Sequence, residues 1–325
     1  MLASHAVASP RSDVPDGDRL RRVVGRITDF GPGIAEIAPL PGGLTNHNFR
    51  VTDEAGRRVV VRLSDPQTGQ LGIDREFEHH CARAAAALGV APAVRSFQPE
   101  SNALVVDWID GRALEPAELA DAGVLGHIAA ACRGLHAGPL FGRRFDMFDV
   151  QRDYLRTALA AGYRLPADYL DFMPLVDDIR AAMVVSPEPI APCHNDLLAA
   201  NIVVTGDGTT WLIDFELAGD NEPSFEIGNI WSEASLDPGW LDVLVNAYYG
   251  AVSPERVARA RLWGLMSKYG WMLWASIQDT SSTVDFDFWS WGLEKYERAV
   301  AEFRGPELAR LMTDVHDSRS GGDRP

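Results

Sequence analysis

Two short stretches between residues 194 and 216 constrain this chain more than any other part of its sequence. Residues 194–201 read HNDLLAAN and residues 213–216 read IDFE. Transfer of a phosphoryl group to a hydroxyl needs a carboxylate that orients the hydroxyl hydrogen, and an amide oxygen and a second carboxylate that hold Mg²⁺. The spacing H-x-D-x-x-x-x-N supplies Asp196 and Asn201 from one loop, and Asp214 follows. The pattern predicts phosphoryl transfer, with Asp196 as the base and Asn201 and Asp214 as metal ligands.

The alternative interpretation of this region is a polar turn before an ordinary β-hairpin. Residues 202–205 and 210–213 are β-like runs around the turn sequence Gly-Asp-Gly at 206–208. Either half of the motif alone would be weak. Both halves occur in order, with Asp196 and Asp214 eighteen residues apart and the hairpin between them. This arrangement favours catalysis, because the hairpin returns the second carboxylate to the first.

Composition narrows the class of protein. The 325 residues are 46% hydrophobic and 23% charged, which is typical of a globular chain with room for two lobes. A formal net charge of -16 argues against nucleic acid as a partner, because phosphates require a basic footprint, and it tolerates a cationic ligand. No run of eighteen apolar residues occurs, so no membrane span is expected.

The cysteines indicate a reducing compartment. Cys81, Cys132 and Cys193 are far apart and form no C-x-x-C pair. They fit reduced thiols in a cytoplasmic protein, without a zinc site or a disulfide framework, and the polar N-terminus lacks a secretory pattern. Cys193 lies next to the catalytic motif, where a small buried residue is favoured over a nucleophile.

The order of predicted elements indicates an α+β, bilobal organisation. A β-rich region comes first, and alanine- and leucine-rich helical patterning follows from residue 116, interrupted by the catalytic hairpin. The elements predicted in the first region are strands at 48–52 and 57–63 around a turn at 53–56, a helix at 73–88 and an apolar run at 103–109. We expect a flexible tail over 1–20, a nucleotide-binding lobe over 21–110, a catalytic and substrate-binding lobe over 111–315, and a second tail over 316–325.

Together the motifs resemble those of the choline/ethanolamine kinase family, within the wider aminoglycoside-phosphotransferase and protein-kinase-like superfamily. The similarity runs from about residue 41 to about residue 303, and D-F-E at 214–216 is typical of this branch, where protein kinases carry D-F-G. The resemblance implies a protein-kinase-like fold with a small β-rich N-terminal lobe and a larger, mainly helical C-terminal lobe. It also implies ATP and Mg²⁺ as cofactors, and contacts from Asp196 and Glu216 to the acceptor.

The segment 42–49, GGLTNHNF, stands where that family has its phosphate-covering loop. Paired glycines let backbone amides approach phosphate oxygens, and hydroxyl and amide side chains add donors. A Gly-Gly turn alone is more often a plain hairpin, but its place ahead of the catalytic motif favours the phosphate role. The residues assigned to ATP in this loop are Gly43, Leu44, Thr45, Asn46 and Asn48.

Arg62 is predicted to replace the lysine that normally binds the α- and β-phosphates. The chain has two lysines, Lys268 and Lys295, both late in the sequence, so a phosphate-binding cation in the first lobe has to be an arginine. Arginine is permanently charged and binds phosphate bidentately, and the choline kinase branch carries it here. The family's I-D-R-x-x-E pattern points to Glu78 as its ion-pair partner, with Glu76 as a competitor.

A hinge is expected at residues 106–109, which read VDWI. Backbone groups at this position bind adenine in the family, so Asp107 and Ile109 complete the predicted ATP site. Backbone recognition leaves no side-chain signature, and the assignment rests on position in the sequence.

The predicted acceptor site is a box for an ammonium group. Residues 225–233 resemble the family's F-D-I-G-N-x-x-x-E, whose last residue, here Glu233, faces the substrate ammonium. Trp271 and Trp274 match its W-x-L/I-W helix, and their spacing puts both indoles on one face. Two rings and a carboxylate attract a poorly hydrated cation. The alternative for the two tryptophans is core packing. Residue 226 is glutamate where the family has aspartate, and the extra methylene group either shifts the catalytic loop or is accommodated by local adjustment.

These residues predict an ATP-dependent kinase that acts on a small cationic amino alcohol, choline or ethanolamine. The same fold with another hydroxylated amine as acceptor, such as thiamine, an amino sugar or an aminoglycoside, is the first alternative. A nucleotide-binding pseudokinase ranks below both, because the base and both metal ligands are present.

Overall fold

The structure is a computed structural model that describes residues 17–27, 30–31, 33–41, 43, 46–64, 71–282 and 284–316. These residues group into two compact units. The small unit comprises the described residues up to 64 together with 93–108, and the large unit comprises the rest. Within these ranges, no helix is both long enough and apolar enough to cross a membrane.

The small unit is a five-stranded antiparallel sheet with one helix. Its elements are α1 (Gly17–Val24), β1 (Ile34–Leu40), β2 (Asn46–Asp53), β3 (Arg58–Ser64), β4 (Val94–Gln98) and β5 (Ala103–Asp107). The strand order is β1-β2-β3-β5-β4. Alternate strand residues such as Val51, Val61 and Val105 point to one face, where they form a buried core with Leu20 and Val23 of α1.

The N-terminal tail expected over 1–20 is wrong for residues 17–20, which begin α1. Leu20 is fully buried against the sheet, and the Arg19 guanidinium donates to the carbonyl oxygens of Ser64 and Ser101. The helix begins with three residues without an apolar side chain, and its buried positions are only Leu20, Val23 and Val24, so the amphipathic pattern in the sequence is weak. The earlier part of that predicted tail, residues 1–16, and nearly all of the C-terminal one, residues 317–325, lie outside the described residues.

The turn between β2 and β3 forms as the sequence predicts. The Asp53 carboxylate accepts hydrogen bonds from the amides of Ala55 and Arg57 at 2.9 and 2.8 Å, and Gly56 has φ +80°. This is the side-chain-to-backbone pattern that makes aspartate and glycine favourable in tight turns. The turn sets the register in which Arg62 of β3 lies opposite Asn48 of β2.

The large unit is mainly helical and carries two small sheets. Its helices are α2 (Arg75–Ala87), α3 (Ala122–His136), α4 (Met147–Ala161), α5 (Met173–Met183), α6 (Pro223–Glu233), α7 (Pro238–Tyr249), α8 (Pro254–Ser281), α9 (Phe288–Phe303) and α10 (Glu307–Asp314). Its strands are β6 (Gly111–Ala113), β7 (Ala191–Cys193), β8 (Ile202–Thr205), β9 (Thr210–Leu212) and β10 (Gly219–Asn221). The antiparallel sheets have the orders β6-β8-β9 and β10-β7.

Helix α8 is the centre of the large unit. It is 28 residues long, is buried over most of its length, and packs against α4, α6 and α9. The contact with α6 is a close backbone approach: a Cβ placed on Gly228 would lie 1.9 Å from the carbonyl oxygen of Ala260. Only glycine permits this approach, which fixes the position of the helix that carries Glu226 and Glu233.

A buried ion pair joins the start of α6 to α8. The Arg259 guanidinium donates to both oxygens of Glu222 at 2.7 Å, and the Trp263 indole donates to the same carboxylate at 2.9 Å. Both members of the ion pair are almost fully buried. Removal of either partner would leave an uncompensated buried charge, so the pair holds the two helices in one register.

Several predicted elements are confirmed, and others were missed, among them α1, β1, β4 and the short strands β6, β7 and β10. The hairpin strands predicted at 202–205 and 210–213 are β8 and β9, and the helix predicted at 73–88 is α2, followed by Gly89 at φ +74°. Strands β1 and β4 were not singled out, because their apolar residues do not alternate cleanly and β4 has a register shift. Helix α2 groups with the large unit, whereas the sequence analysis placed it with the N-terminal region; the predicted lobe boundaries stay a prediction.

Candidate active site

The catalytic stretch and the D-F-E stretch are joined by His194. Its Nδ1 accepts a hydrogen bond from the amide of Asp196 at 3.3 Å, and its Nε2 lies 2.8 Å from the carbonyl oxygen of Ile213. Because Nδ1 accepts, the neutral ring carries its proton on Nε2 and donates it to Ile213. The two halves of the motif are therefore tied together one residue before Asp214.

Asn195 holds the loop in an unusual backbone conformation. Its φ is 66°, a left-handed region that asparagine tolerates better than most residues. The buried side chain donates to the carbonyl oxygens of Leu217 and Gly219 at 3.1 and 3.3 Å and accepts from Nδ2 of Asn221 at 2.9 Å. These bonds compensate for the local strain and turn the next residue, Asp196, out of the β7 strand.

Glu226 supports the same loop from beneath. Its carboxylate accepts from the amides of His194 and Asn195 at 2.8 and 3.2 Å, and His136 Nε2 lies 3.2 Å away. The longer side chain thus reaches the loop backbone. Burial alone would raise the pKa of Glu226, but the hydrogen bond and charge of His136, together with the hydrogen bond from the His194 backbone amide, lower it below its usual value.

Asn201 contacts the predicted base directly. Its Nδ2 donates to the backbone oxygen of Asp196 at 2.8 Å and to the carboxylate Oδ2 at 3.2 Å. Since the amide nitrogen is used in this way, the amide oxygen is the atom left for a cation. An oxygen is also the ligand that Mg²⁺ prefers, so the orientation of Asn201 fits its predicted role.

Acidic side chains converge on Asp196. Burial raises its pKa well above the usual value, and the nearby charges of Asp214, Glu216 and Glu233 raise it further, while Lys295 acts in the opposite direction. Asp214 itself has φ +72°, a conformation that is costly for aspartate and common at functional sites. Carboxylates gathered in this way are destabilised until a cation joins them, so Asp214 and Asn201 fit a Mg²⁺ site.

Arg75 connects helix α2 to the D-F-E stretch. One guanidinium nitrogen lies 2.7 Å from the Glu78 carboxylate and 3.0 Å from that of Glu216. Glu78 is buried and Glu76 is exposed, so Glu78 is the inward-facing glutamate of the pair that the sequence left open. Glu216, predicted to contact the acceptor, forms an ion pair with Arg75, and its negative charge raises the pKa of Asp196.

The predicted acceptor residue Glu233 already has a cationic neighbour. Its Oε2 accepts from Lys295 Nζ at 2.6 Å, and both side chains are largely buried. The same ammonium lies 4.3 Å from the ring centre of Trp291, a cation–π contact. Sequence reasoning missed Lys295 and Trp291, although their i, i+4 spacing on one helix face and the scarcity of lysine could have found them.

Both predicted tryptophans are buried in the large unit. The Trp271 indole donates to Oδ1 of Asn229, one turn before Glu233, at 3.4 Å. Trp274 makes edge contacts with Trp291 and Phe288, with ring centres 5.5 and 5.6 Å apart. Trp274 thus belongs to the aromatic group around Lys295, whereas Trp271 lies beside the helix that carries Glu233; their binding roles stay predictions.

The predicted nucleotide residues of the small unit lie before and along β2, on β3 and at the end of β5. A Cβ on Gly43, at φ +90°, would lie 2.6 Å from the carbonyl oxygen of Asn46 and 2.9 Å from Nδ2 of Asn48, so the loop needs glycine there. Arg62 is largely buried. The Asp107 amide donates to Ala93 and its carboxylate binds Arg95, so any adenine contact has to use its carbonyl group. Leu44 and Thr45 lie outside the described residues, and Ile109 belongs to the large unit.

Comparison with known proteins decides the family. Residues 36–262, more than half of the chain, match the phosphotransferase enzyme family. The chain belongs to this family. The predicted resemblance, fold class and enzyme class are confirmed: the protein is a phosphotransferase similar to choline/ethanolamine kinases, with a protein-kinase-like fold.

Three relatives illustrate the similarity. A choline/ethanolamine kinase family protein from Mesorhizobium loti has a TM-score of 0.80 and 28% identity, over 92% of this chain and 98% of that one. Mouse ethanolamine kinase 2 is 28% identical over 79% of this chain and 73% of its own length. The thiamine kinase of Shigella boydii is 26% identical over 75% of this chain and 85% of its own length.

Proposed function

We propose that this protein transfers the γ-phosphate of ATP to the hydroxyl of choline, ethanolamine or a related amino alcohol. The observation that carries the proposal is the arrangement of Asp196, Asn201 and Asp214. Asn201, a proposed metal ligand, donates to Asp196, the proposed base, at 2.8 and 3.2 Å. Asp214, the second proposed ligand, follows the hairpin, and its charge acts on Asp196. Phosphoryl transfer requires such a set of groups.

In this proposal Asp196 orients the acceptor hydroxyl and takes its proton. The amide of Asn201 and the Asp214 carboxylate would hold Mg²⁺, which would offset charge on the phosphate oxygens. Glu226 and His194 keep the loop in place through the backbone of residues 194–196 and the carbonyl of Ile213. The residues therefore act by position and electrostatics, which supply most of the catalysis in phosphoryl transfer.

The small unit supplies the proposed phosphate contacts. Gly43 holds a conformation that brings backbone close to Asn46 and Asn48, as a phosphate-covering loop requires. Arg62, the cation on β3, is the predicted ligand of the α- and β-phosphates. The family pattern at residues 73–78 assigns the partner of that cation to Glu78, a buried residue of α2.

Support for the acceptor class comes from relatives and from the Glu233 region. Relatives named ethanolamine kinase and choline/ethanolamine kinase family protein are among the most similar ones, and a relative named thiamine kinase is nearly as similar in sequence. A buried carboxylate with several aromatic rings around it is a site that suits an amine. Thiamine, amino sugars and aminoglycosides are the competing acceptors.

A turnover assay with a panel of acceptors tests the proposal. ADP release by the purified protein with ATP and Mg²⁺ is measured with ethanolamine, choline, thiamine, an amino sugar and an aminoglycoside. We expect amino-alcohol-dependent release that Asp196→Ala abolishes while the variant still binds ATP. Asp242→Ala, an exposed carboxylate on α7, serves as the matched control and keeps full activity. Turnover of the Asp196 variant at the rate of the control would refute the mechanism, and sole activity on another acceptor would refute the substrate.

A further inference from the structure

The two oxygens of the Glu233 carboxylate have different surroundings. Oε2 accepts from Lys295 Nζ at 2.6 Å. Oε1 is buried and has no hydrogen-bond partner among the residues that the structure describes. The side chain as a whole is only 3% exposed, so water does not readily satisfy the second oxygen. A buried carboxylate oxygen without a donor is unfavourable, which makes Oε1 a place where a ligand that donates a hydrogen bond is stabilised.

This oxygen belongs to a residue that the sequence resemblance assigns to the acceptor. Glu233 and Lys295 both act electrostatically on Asp196, with opposite signs, so the pair is close to the predicted base. Trp291 lies 4.3 Å from the Lys295 ammonium, and Trp274 lies against Trp291. Lys295 and Trp291 therefore contact two of the residues that the sequence assigned to the substrate amine, Glu233 and Trp274.

The Lys295 ammonium already contacts two groups that would attract a quaternary amine, the Glu233 carboxylate and the Trp291 ring. Such an amine has no N–H and is bound by carboxylate charge and aromatic faces alone. Lys295 already neutralises Glu233 and already covers the Trp291 ring. What remains unused is a hydrogen-bond acceptor, and an ammonium that carries N–H groups is the amine that uses it.

We propose that Lys295 is a specificity-determining residue that adapts this site to an acceptor whose amine donates a hydrogen bond to Glu233 Oε1. Primary and partly methylated ammonium groups are accepted, and quaternary ones are disfavoured. This inference rests on the proposed function, because it concerns the acceptor of that same reaction. It narrows the acceptor from amino alcohols in general to those of the ethanolamine kind.

A methylation series on the wild-type enzyme provides the first test. The ratio kcat/KM is measured for ethanolamine, its N-methyl and N,N-dimethyl derivatives, and choline. Each methyl group removes one N–H, and the last step, from the dimethyl compound to choline, removes the last donor. We expect a fall of about tenfold or more at that last step, the size of one lost hydrogen bond to a charged group. Equal or rising values up to choline would overturn the inference.

The second test exploits the two lysines of the chain. Lys295→Met keeps the length and apolar stem of the side chain but removes the ammonium, which exposes the charge of Glu233 and the face of Trp291 to the ligand. The ratio of kcat/KM for choline to that for ethanolamine should then rise by about tenfold or more. Lys268→Met is the matched control, because Lys268 is also buried, also pairs with a glutamate, Glu302, and also lies over an indole, that of Trp231 at 5.0 Å.

The outcomes separate this inference from the function on which it rests. Absence of turnover with every amine overturns the proposed function and the inference with it. Turnover with choline preferred, or an acceptor ratio that changes equally in both lysine variants, overturns the inference and leaves the kinase function standing. Circular dichroism would reveal whether Lys295→Met folds. If it does not, the methylation series still tests the inference, because it uses only the wild-type enzyme.

Discussion

Asn201 donates a hydrogen bond to the carboxylate of Asp196 at 3.2 Å, so the predicted base is held by the predicted metal ligand. The second bond from the same amide nitrogen, to the Asp196 backbone at 2.8 Å, fixes the amide plane. Base and ligand are therefore positioned as one group. A change at Asn201 should affect metal affinity and proton transfer together, and its effect should not add to that of a change at Asp196.

Asn201→Ala should weaken the response of the enzyme to Mg²⁺. The variant loses the amide oxygen that is left for the metal and the bonds that orient Asp196, so kcat falls and the Mg²⁺ concentration for half-maximal activity rises, each by about tenfold or more. Activity measured across a Mg²⁺ titration checks this. Asn246→Ala, an exposed amide on α7, should behave like the wild type. An unchanged Mg²⁺ dependence in the Asn201 variant would remove it from the metal site.

Glu226→Gln should destabilise the protein at neutral pH. A glutamine side chain is uncharged and has only one oxygen, so it cannot accept from the amides of both His194 and Asn195 as the carboxylate does. Loss of such a charge-assisted hydrogen bond costs about 1.5–3 kcal/mol. The pKa of Glu226 is lowered in the folded state, so its contribution is present above the ordinary value of 4.5 and is lost as pH falls through the lowered pKa.

The difference in the free energy of unfolding between wild type and Glu226→Gln should therefore shrink as the pH falls below about 4. Urea unfolding at several pH values measures this difference. Glu297→Gln, an exposed glutamate on α9, should show no such loss at any of these pH values. A pH-independent difference for the Glu226 variant would mean that the carboxylate is not ionised in its support of the loop.

Gly228→Ala should separate α6 from α8. The added Cβ would lie 1.9 Å from the Ala260 carbonyl oxygen, a backbone atom that cannot swing away, so a loss of roughly 3 kcal/mol or more is expected. Thermal melting checks the stability, and the activity should fall as well because Glu226 and Glu233 lie on the same helix. Gly126→Ala in α3 meets no atom within 4 Å and should stabilise by up to about 1 kcal/mol. Equal melting temperatures for the two variants would contradict the close approach.

The sequence could predict the features that depend on local spacing. The interval from Asp196 to Asn201 and the hairpin before Asp214 are both short-range patterns, and both occur in the structure as expected. The β2–β3 turn at Asp53 and Gly56 is another, since its hydrogen bonds lie within four residues. Patterns of this kind need no knowledge of how distant segments pack.

The features that the sequence did not reveal are long-range pairs. Glu233 and Lys295 are 62 residues apart and meet only because α6 and α9 both lie against α8. The reach of Glu226 to the loop depends on the depth at which α6 is packed, which Gly228 sets. Tertiary packing determines both contacts, and it cannot be read from the secondary-structure propensity or the hydrophobic periodicity of the sequence.

The two lysines also give the chain a chemical reporter. Because Lys268 and Lys295 are the only lysine side chains and both are buried, reagents that acylate amines have little access to either while the protein is folded. Lys295 is paired with Glu233 and Lys268 with Glu302, so labelling of each lysine reports on a different ion pair. The ratio of label on these two positions, read by mass spectrometry, would follow changes around Glu233 without any engineered tag.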